Sequence, residues 1–159
     1  MNKKTKKSNY KIIIINKKAK YEYFIHEVFE AGLNLLGWEV KALRSGNVNI
    51  NNTYVSVKNK EAYLLGLMIT PLRMASSNII YDSTRTRKLL LNQNEINLLL
   101  GKIHKTGHTI IVLSLYWKNA WCKTKIALAT GKNKHDKRSD IKKQEWIIQK
   151  NKIMKNKNK

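Results

Sequence analysis

The clearest pattern in the chain is an alternation of apolar and polar positions, which is typical of β-strands that bury one face. It is most regular in segment 121–130, whose other face offers lysines. Segment 109–117 is also rich in apolar residues, and residues 118–120 supply a turn. We therefore predict a β-hairpin in which Trp117 and Trp121 pair across the strands. The residues expected on the buried face of its second arm are Cys122, Thr124, Ile126 and Leu128.

Four further segments have strand-like patterns. They cover residues 11–16, 21–31, 48–57 and 61–70, and a turn at 58–60 joins the last two. Alternation in the second segment predicts one shared face for Tyr21, Tyr23, Ile25 and Phe29. Gly32 then predicts a bulge or bend, of the kind that curls a sheet.

Helical spacing occurs in two places. Segment 37–46 predicts a short helix with Trp38 and Leu43 facing inward. A second helix is predicted from Asn92, its N-cap, to about Lys105, with Glu95 completing a capping box. The core side of that helix is expected to carry Ile96, Leu99, Leu100 and Ile103. The intervening residues from Pro71 to Arg87 have no period and predict a long exposed loop.

Many short antiparallel strands with few helices predict a mainly β fold. We expect a small closed antiparallel OB-like β-barrel with a few flanking helices and a basic C-terminal tail. The predicted division is a flexible basic N-terminal arm at 1–10, a β-barrel domain at 11–130 and the tail at 131–159.

Charge changes this picture by indicating the partner. The chain has 159 residues with 32 Lys and Arg against 10 Asp and Glu, a net charge of +22, which favours a polyanionic partner. A single cysteine and the absence of a long apolar run predict a cytoplasmic monomer with no membrane association.

The tail concentrates this charge. Residues 131–159 hold ten Lys and one Arg against three acidic residues, a net charge of +8. On a helix, its apolar residues would form a poor stripe, with Ile141 and Ile148 opposite Trp146, Ile153 and Met154. We expect this segment to be disordered alone and helical only when a polyanion surrounds it.

Candidate chemistry for catalysis or metal binding is weak. His104 and His108 have no neighbouring carboxylate or thiol to complete a zinc site. Cys122 is expected to be an apolar packing residue, and the acidic residues are scattered. The sequence therefore predicts no catalytic residue, no metal and no cofactor.

Three groups of residues are candidates for RNA contact. Glu30 either pairs with a nearby Lys or Arg or accepts hydrogen bonds from base amino groups. A basic patch can clamp phosphates or only be solvated, and it consists of Arg85, Arg87 and Lys88. Three aromatic residues can stack on unpaired bases or serve the core, namely Tyr21, Tyr23 and Phe24.

Several separated motifs, in order, resemble those of the SsrA-binding protein family, also called small protein B, of bacterial trans-translation. They are Phe29-Glu30-Ala31-Gly32, the run from Gly37 to Gly46, the run from Arg85 to Asn92, Leu115-Tyr116-Trp117-Lys118-Asn119, and Lys134-His135-Asp136-Lys137-Arg138. The resemblance extends from about Ile15 to Met154.

The resemblance implies an adaptor that binds the tRNA-like domain of tmRNA and carries it, with elongation factor Tu in the delivered complex, to stalled ribosomes. The implied RNA contacts are Asn16, Tyr23, Glu30, Leu90, Asn92 and Lys123. In that family the tail occupies the decoding centre and the empty mRNA channel of the small subunit. The implied contacts with the ribosome and its rRNA are Lys132, Lys134, His135, Asp136, Lys137, Arg138, Trp146, Ile153 and Met154.

Two other functions fit parts of the same evidence. A basic ribosomal structural protein, or a general RNA-binding OB-fold protein, would share the charge and the small barrel. A small RNA-processing enzyme would need His104 or His108 as a catalytic group.

Overall fold

The computed structural model describes residues 10–72, 81–103 and 107–157. The strands are β1 (Tyr10–Ile15), β2 (Tyr23–Leu33), β3 (Val48–Asn49), β4 (Tyr54–Lys58), β5 (Glu61–Leu65), β6 (Met68–Ile69), β7 (Arg87–Leu90), β8 (His108–Lys118) and β9 (Trp121–Gly131). The helices are α1 (Ala19–Glu22), α2 (Gly37–Arg44), α3 (Gln93–Ile103) and α4 (Lys134–Lys157). The predicted arm at 1–9, the loop centre at 73–80 and His104 lie outside the described residues, and Tyr10, assigned to the arm, begins β1.

Seven strands form one antiparallel sheet, in which six strands close into a ring and β1 is attached to β8 at the edge. Their order is β1-β8-β4-β5-β7-β2-β9, and β8 also pairs with β9. All pairs in the sheet are antiparallel, and β1 pairs with the part of β8 that β4 leaves free. The predicted mainly β fold with flanking helices is thus confirmed. Its interior is filled by side chains that include Leu43, Leu64, Leu89, Ile110, Leu115, Ile126 and Leu128.

Of the bulge or bend predicted at Gly32, the bulge is wrong, because the register shift of β2 lies earlier. The register with β9 shifts between Ile25 and Glu27, so that His26 is an extra residue. An extra residue reverses which side of the strand faces inward. Ile25 therefore packs into a small outer cluster with Ala127 and Ala129, whereas Phe29 packs against the interior of the ring. The shared face predicted for these two residues is wrong for the same reason, and Tyr21 lies in α1 instead of a strand.

The two strands predicted at 48–57 and 61–70 are each divided in two. Asn52 and Gly66 have φ values of 62° and 75°, which interrupt regular pairing and leave β3 and β6 as a separate two-stranded sheet. Gly66 is required here, because a Cβ atom at this position would lie 2.4 Å from the backbone oxygen of Asn52. The turn between the strands is confirmed, with positive φ at Asn59 and Lys60 as tight hairpins prefer.

The long hairpin has the predicted limits and inner face, but its two tryptophans do not pair. Trp117 lies opposite Cys122, and Trp121 lies opposite Lys118. Neighbouring cross-strand pairs point to opposite faces. Trp117 consequently packs against the core, while 74% of Trp121 is exposed.

Both longer body helices begin with a glutamate that reaches back to the backbone. The amide of Asn92 donates to Glu95 Oε2 at 2.9 Å, and the amide of Leu36 donates to Glu39 Oε2 at 2.7 Å. Ile96 and Leu99 are buried as predicted. None of the described helices combines the length and apolar character that a membrane crossing requires.

A buried charge network fastens α2 to the sheet. Glu39 and Arg87 are both fully buried, and Arg87 Nε donates to Glu39 Oε1 at 2.8 Å. Arg85 Nε donates to the same oxygen at 2.9 Å. Arg87 also donates to the backbone oxygens of Leu67 and Ser83 at 2.6 and 3.1 Å. One carboxylate therefore holds the helix, the 81–86 segment, β7 and the β5–β6 turn together.

We predict that Glu39→Gln strongly destabilises the protein, because it leaves the Arg87 guanidinium buried without a counter-charge. Loss of one partner of a buried ion pair costs about 3–5 kcal/mol of unfolding free energy. Urea denaturation measures this change. Glu61→Gln is the matched control, since Glu61 pairs with Lys88 on a partly exposed surface and its loss should change little. Equal stability of the two variants would contradict the assigned role of Glu39.

Candidate nucleic-acid interface

Glu30 lies at the centre of a polar cluster on the outer face of the sheet. Its Oε2 accepts a hydrogen bond from the Tyr116 hydroxyl. Its Oε1 accepts from Lys123 and, at 3.2 Å, from Lys118. These four residues, the Glu30 cluster, join β2, β8 and β9 at a point where the strands are fixed by their pairing.

The cluster keeps Glu30 ionised. Hydrogen bonds from Lys123 and Tyr116 lower the pKa of Glu30 from 4.5 to about 2, although burial opposes them. Burial and the bond to Glu30 raise the pKa of Tyr116, so its hydroxyl stays a donor. The bond to Glu30 also raises the pKa of Lys118. Of the two alternatives for Glu30, the structure shows the ion pair, while its contact with RNA stays a prediction. The cluster holds two cations on one anion, an excess of positive charge.

Strand register brings an apolar residue beside this cluster. Gly32 lies opposite Leu90 on β7 and opposite Lys123 on β9. Leu90, Gly32 and Lys123 thus form a row across three neighbouring strands. Gly32 is two residues after Glu30 in β2, so the row lies next to the Glu30 cluster. A Cβ atom on Gly32 would lie 3.3 Å from Leu90 Cβ, so glycine allows the two strands to approach. Leu90 is 56% exposed on this face, and the exposed Asn92 follows it.

Aromatic rings and lysines extend the surface toward β1. The ring of Tyr10 meets that of Tyr116 edge-on at 5.5 Å. Lys118 Nζ lies 5.6 Å from the Tyr10 ring centre and Lys125 Nζ lies 5.7 Å from that of Tyr116. A mostly apolar recess of about 430 Å³ adjoins them, between β1 and Lys20 of α1. Such alternation of rings and cations suits nucleic acid.

Asn16 and Tyr23 lie beside this surface in supporting positions. Asn16 donates from Nδ2 to the Val112 oxygen at 3.0 Å and accepts from the Ala19 amide at 3.1 Å. Its side chain therefore fixes the turn into α1 while lining the recess. Tyr23 is partly buried against the outer cluster of Ala19 and Ala129.

The basic patch predicted in the 71–87 loop is wrong as a single surface. Arg87 belongs to β7 and is fully buried on Glu39, so it has no surface for a phosphate. Arg85 is also bound to Glu39, with 25% of its side chain exposed. Lys88 is 42% exposed but pairs with Glu61. Glu39 pairs with both arginines and Glu61 pairs with Lys88, so the three cations chiefly link parts of the ring that lie distant in sequence.

Lys132 attaches the tail to the body. Its side chain is only 9% exposed, and its Nζ donates to the Lys20 oxygen at 2.9 Å and to Asp140 Oδ2 at 2.7 Å. Its ammonium group lies 5.0 Å from the ring centre of Phe24, which is 45% exposed. Lys132 therefore holds the start of α4 against α1, a role that its sequence context does not indicate.

Beyond this junction, the side chains of α4 from residue 141 to residue 154 are exposed. Lys134 and His135 lie in its first turn, followed by Asp136, Lys137 and Arg138. The exposed apolar residues on the helix are Ile141, Trp146, Ile147, Ile148, Ile153 and Met154. They lie on several sides, so the poor stripe predicted from sequence is confirmed, whereas disorder of the free tail stays a prediction.

The remaining candidates have local roles. Burial raises the pKa of the Cys122 thiol to about 12, which suits a packing residue and not a nucleophile. His108 stacks on His26 with ring centres 5.4 Å apart. Within the described ranges, no three His, Cys, Asp or Glu side chains are grouped to hold a metal.

Sequence reasoning missed Tyr116 and Lys118 as members of the site. The hairpin pattern contained a usable signal, because its register places Tyr116 directly opposite Lys123. The proximity of both residues to Glu30 depends in addition on pairing between β2 and β9, which alternation alone does not fix.

Comparison with known proteins relates this geometry to one family. A family model described as SmpB protein matches residues 13–156. A chain of a solved structure described as "tmRNA-SmpB: a journey to the center of the bacterial ribosome" is similar, with 36% identity and a TM-score of 0.63. The match covers 80% of this chain and 93% of that chain.

We predict that the Glu30 carboxylate titrates near pH 2, far below 4.5. Because its pKa is depressed by folding, its ionisation stabilises the fold above pH 4.5, and this stabilisation is lost as the pH falls toward 2. Carbon-detected NMR of the side-chain carboxyl group measures the midpoint. Lys123→Met removes the strongest cause of the shift and should raise the midpoint toward 4.5. A midpoint near 4.5 in the unchanged protein would refute the cluster as described.

Proposed function

Because the chain belongs to the SmpB protein family, we propose that it is an RNA-binding adaptor of trans-translation. It binds the tRNA-like domain of tmRNA and delivers it to stalled ribosomes, where the incomplete peptide is tagged. The family match over residues 13–156 carries this proposal, and the similarity to the tmRNA–SmpB chain supports it. The chain acts as a monomer without catalysis, and elongation factor Tu travels in the delivered complex.

In this proposal the closed ring is an OB-like β-barrel spanning residues 11–130. The tail at 131–159 is a separate functional unit. Small barrels of this type commonly use a sheet face and adjoining loops to bind nucleic acids. The outer face around the Glu30 cluster has the chemistry for that task.

The Glu30 cluster recognises the RNA by presenting pre-positioned donors. Glu30 fixes the ammonium groups of Lys118 and Lys123, so less side-chain entropy is lost when a phosphate binds. Its own oxygens can exchange a lysine for the amino group of an unpaired base. The exposed Leu90 packs on a sugar or a base, and Asn92 offers its amide. Asn16 and Tyr23 support the edge of this surface, and Lys88 and the exposed part of Arg85 add charge around it.

The tail performs the second task, on the ribosome. It occupies the decoding centre and the empty mRNA channel of the small subunit, in contact with rRNA. A helix inside an RNA channel meets its partner around the whole circumference, which accounts for cations and apolar residues on every side of α4. The contacts fall on Lys134, His135, Asp136, Lys137, Arg138, Trp146, Ile153 and Met154, while Lys132 anchors the helix.

Truncation after Lys142 tests this division of tasks. The shortened chain keeps the Lys132–Asp140 pair and the whole Glu30 cluster. We expect its preference for a tRNA-like RNA over a random RNA of equal length to stay within about threefold, because the lost tail cations act on both RNAs alike. Peptide tagging on stalled ribosomes should disappear. Binding assays at physiological salt and a tagging assay measure the two quantities.

A second truncation, after Gly131, also removes Lys132 and separates loss of the junction from loss of the helix. It should keep the RNA preference and lower the thermal stability. Equal affinity of the unchanged protein for both RNAs would show only general polyanion binding. Retention on all ribosomes through a high-salt wash would indicate a permanent ribosomal protein instead.

A further inference from the structure

A second recess opens at the far end of the hairpin, and Tyr10 is the one of its described lining residues that also belongs to the surface described above. It has a volume of about 570 Å³, within the range of roughly 300–1,000 Å³ usual for binding sites. It lies between the start of β1, the end of α2 and the β8–β9 turn. The described residues that line it are Tyr10, Lys11, Arg44, Trp117, Asn119 and Ala120.

The lining of this Arg44 recess is cationic and unneutralised. Lys11 and Arg44 are both exposed, and neither forms an ion pair with a described carboxylate. This distinguishes them from Arg85, Arg87, Lys88, Lys118 and Lys123, each of which pairs with a glutamate. Free cations that converge on one concave surface attract an anion.

The recess also has flat walls. The Arg44 guanidinium lies over the Trp117 ring, 5.8 Å from its centre. Trp117 is itself held by the core, so the stack has a rigid base. An arginine positioned in this way keeps its N–H groups directed outward for a phosphate, and its plane remains available for stacking on a base.

Tyr10 connects the recess to the proposed RNA surface. It lines both recesses, and its ring touches the Glu30 cluster through Tyr116 and Lys118. An extended strand of RNA that leaves the Glu30 cluster across Tyr10 therefore enters the Arg44 recess next.

We propose that the Arg44 recess is a second contact site for the bound RNA. Arg44 and Lys11 take a backbone phosphate, and an adjoining unpaired nucleotide packs against Tyr10 and the β8–β9 turn. This inference rests on the proposed function, and it extends the RNA interface to the C-terminal end of α2.

Arg44→Gln tests the site in the full-length chain bound to a tRNA-like RNA. Loss of one phosphate contact should weaken binding by about tenfold at physiological salt and reduce the slope of log affinity against log salt by about one. Arg44→Lys keeps the positive charge but loses the planar guanidinium. Its affinity for the RNA should therefore lie between that of the unchanged chain and that of Arg44→Gln. Lys41→Gln is the matched control, because Lys41 is an exposed cation on the same helix that does not line the recess. It should change affinity by less than about twofold.

Equal losses for Arg44→Gln and Lys41→Gln would overturn the proposal, since both would then report only total charge. A photo-crosslinking amino acid at the exposed Ala120 gives an independent measurement. It should crosslink the RNA efficiently, whereas the same group at the exposed Asn97 of α3 should not. Failure of the proposed function would appear separately, as equal affinity of the unchanged chain for tRNA-like and random RNA. Even then, the comparison of Arg44→Gln with Lys41→Gln shows whether the Arg44 recess contacts RNA.

Discussion

The buried ion pair between Glu39 and Arg87 is the constraint on which the placement of the proposed RNA surface depends. Two fully buried charges would destabilise the interior unless each had partners. Burial raises the pKa of Glu39, but hydrogen bonds from Arg85, the Leu36 amide and Arg87 lower it overall, so the carboxylate stays ionised. The pair ties α2 to the first residue of β7, and β7 in turn places Leu90 beside Gly32.

The few acidic residues of the body have a shared role. Glu39, Glu30 and Glu61 each bind at least one cation and fix its position. At Glu39 the pairs join α2 to β7 and the segment before it, because Arg87 is fully buried and Arg85 is mostly buried. At Glu30 the result is a preformed surface, because the lysines remain partly exposed. Lys102 and Lys132 pair with Glu27 and Asp140, and further cations of a chain with net charge +22 are available for RNA in the proposed function.

Elements whose pattern is local could be predicted from the sequence. The hairpin, the capping box of α3 and the buried set of β9 follow from alternation and helix-start signals. Features that depend on distant partners could not. The buried position of Arg87 requires Glu39, which is 48 residues away. The extra residue His26 changes which side of β2 faces inward, and the positive φ of Asn52 separates β3 from β4. Hydrophobic alternation reports neither strand register nor backbone dihedrals, so it predicts neither feature. The expectation that Glu30 contacts RNA came from family resemblance, and its direct partners came from the structure.

Recognition of a particular RNA is tested most directly by purifying the full-length chain from its host cells and sequencing the RNA that remains bound after a wash at physiological salt. If the Glu30 surface recognises a particular RNA fold, the pool will be dominated by one RNA with a tRNA-like domain. A variant carrying Glu30→Arg should lose that RNA while retaining general RNA binding through its tail. A pool from the unchanged chain that reflects cellular RNA abundance, with ribosomal RNA foremost, would contradict the account.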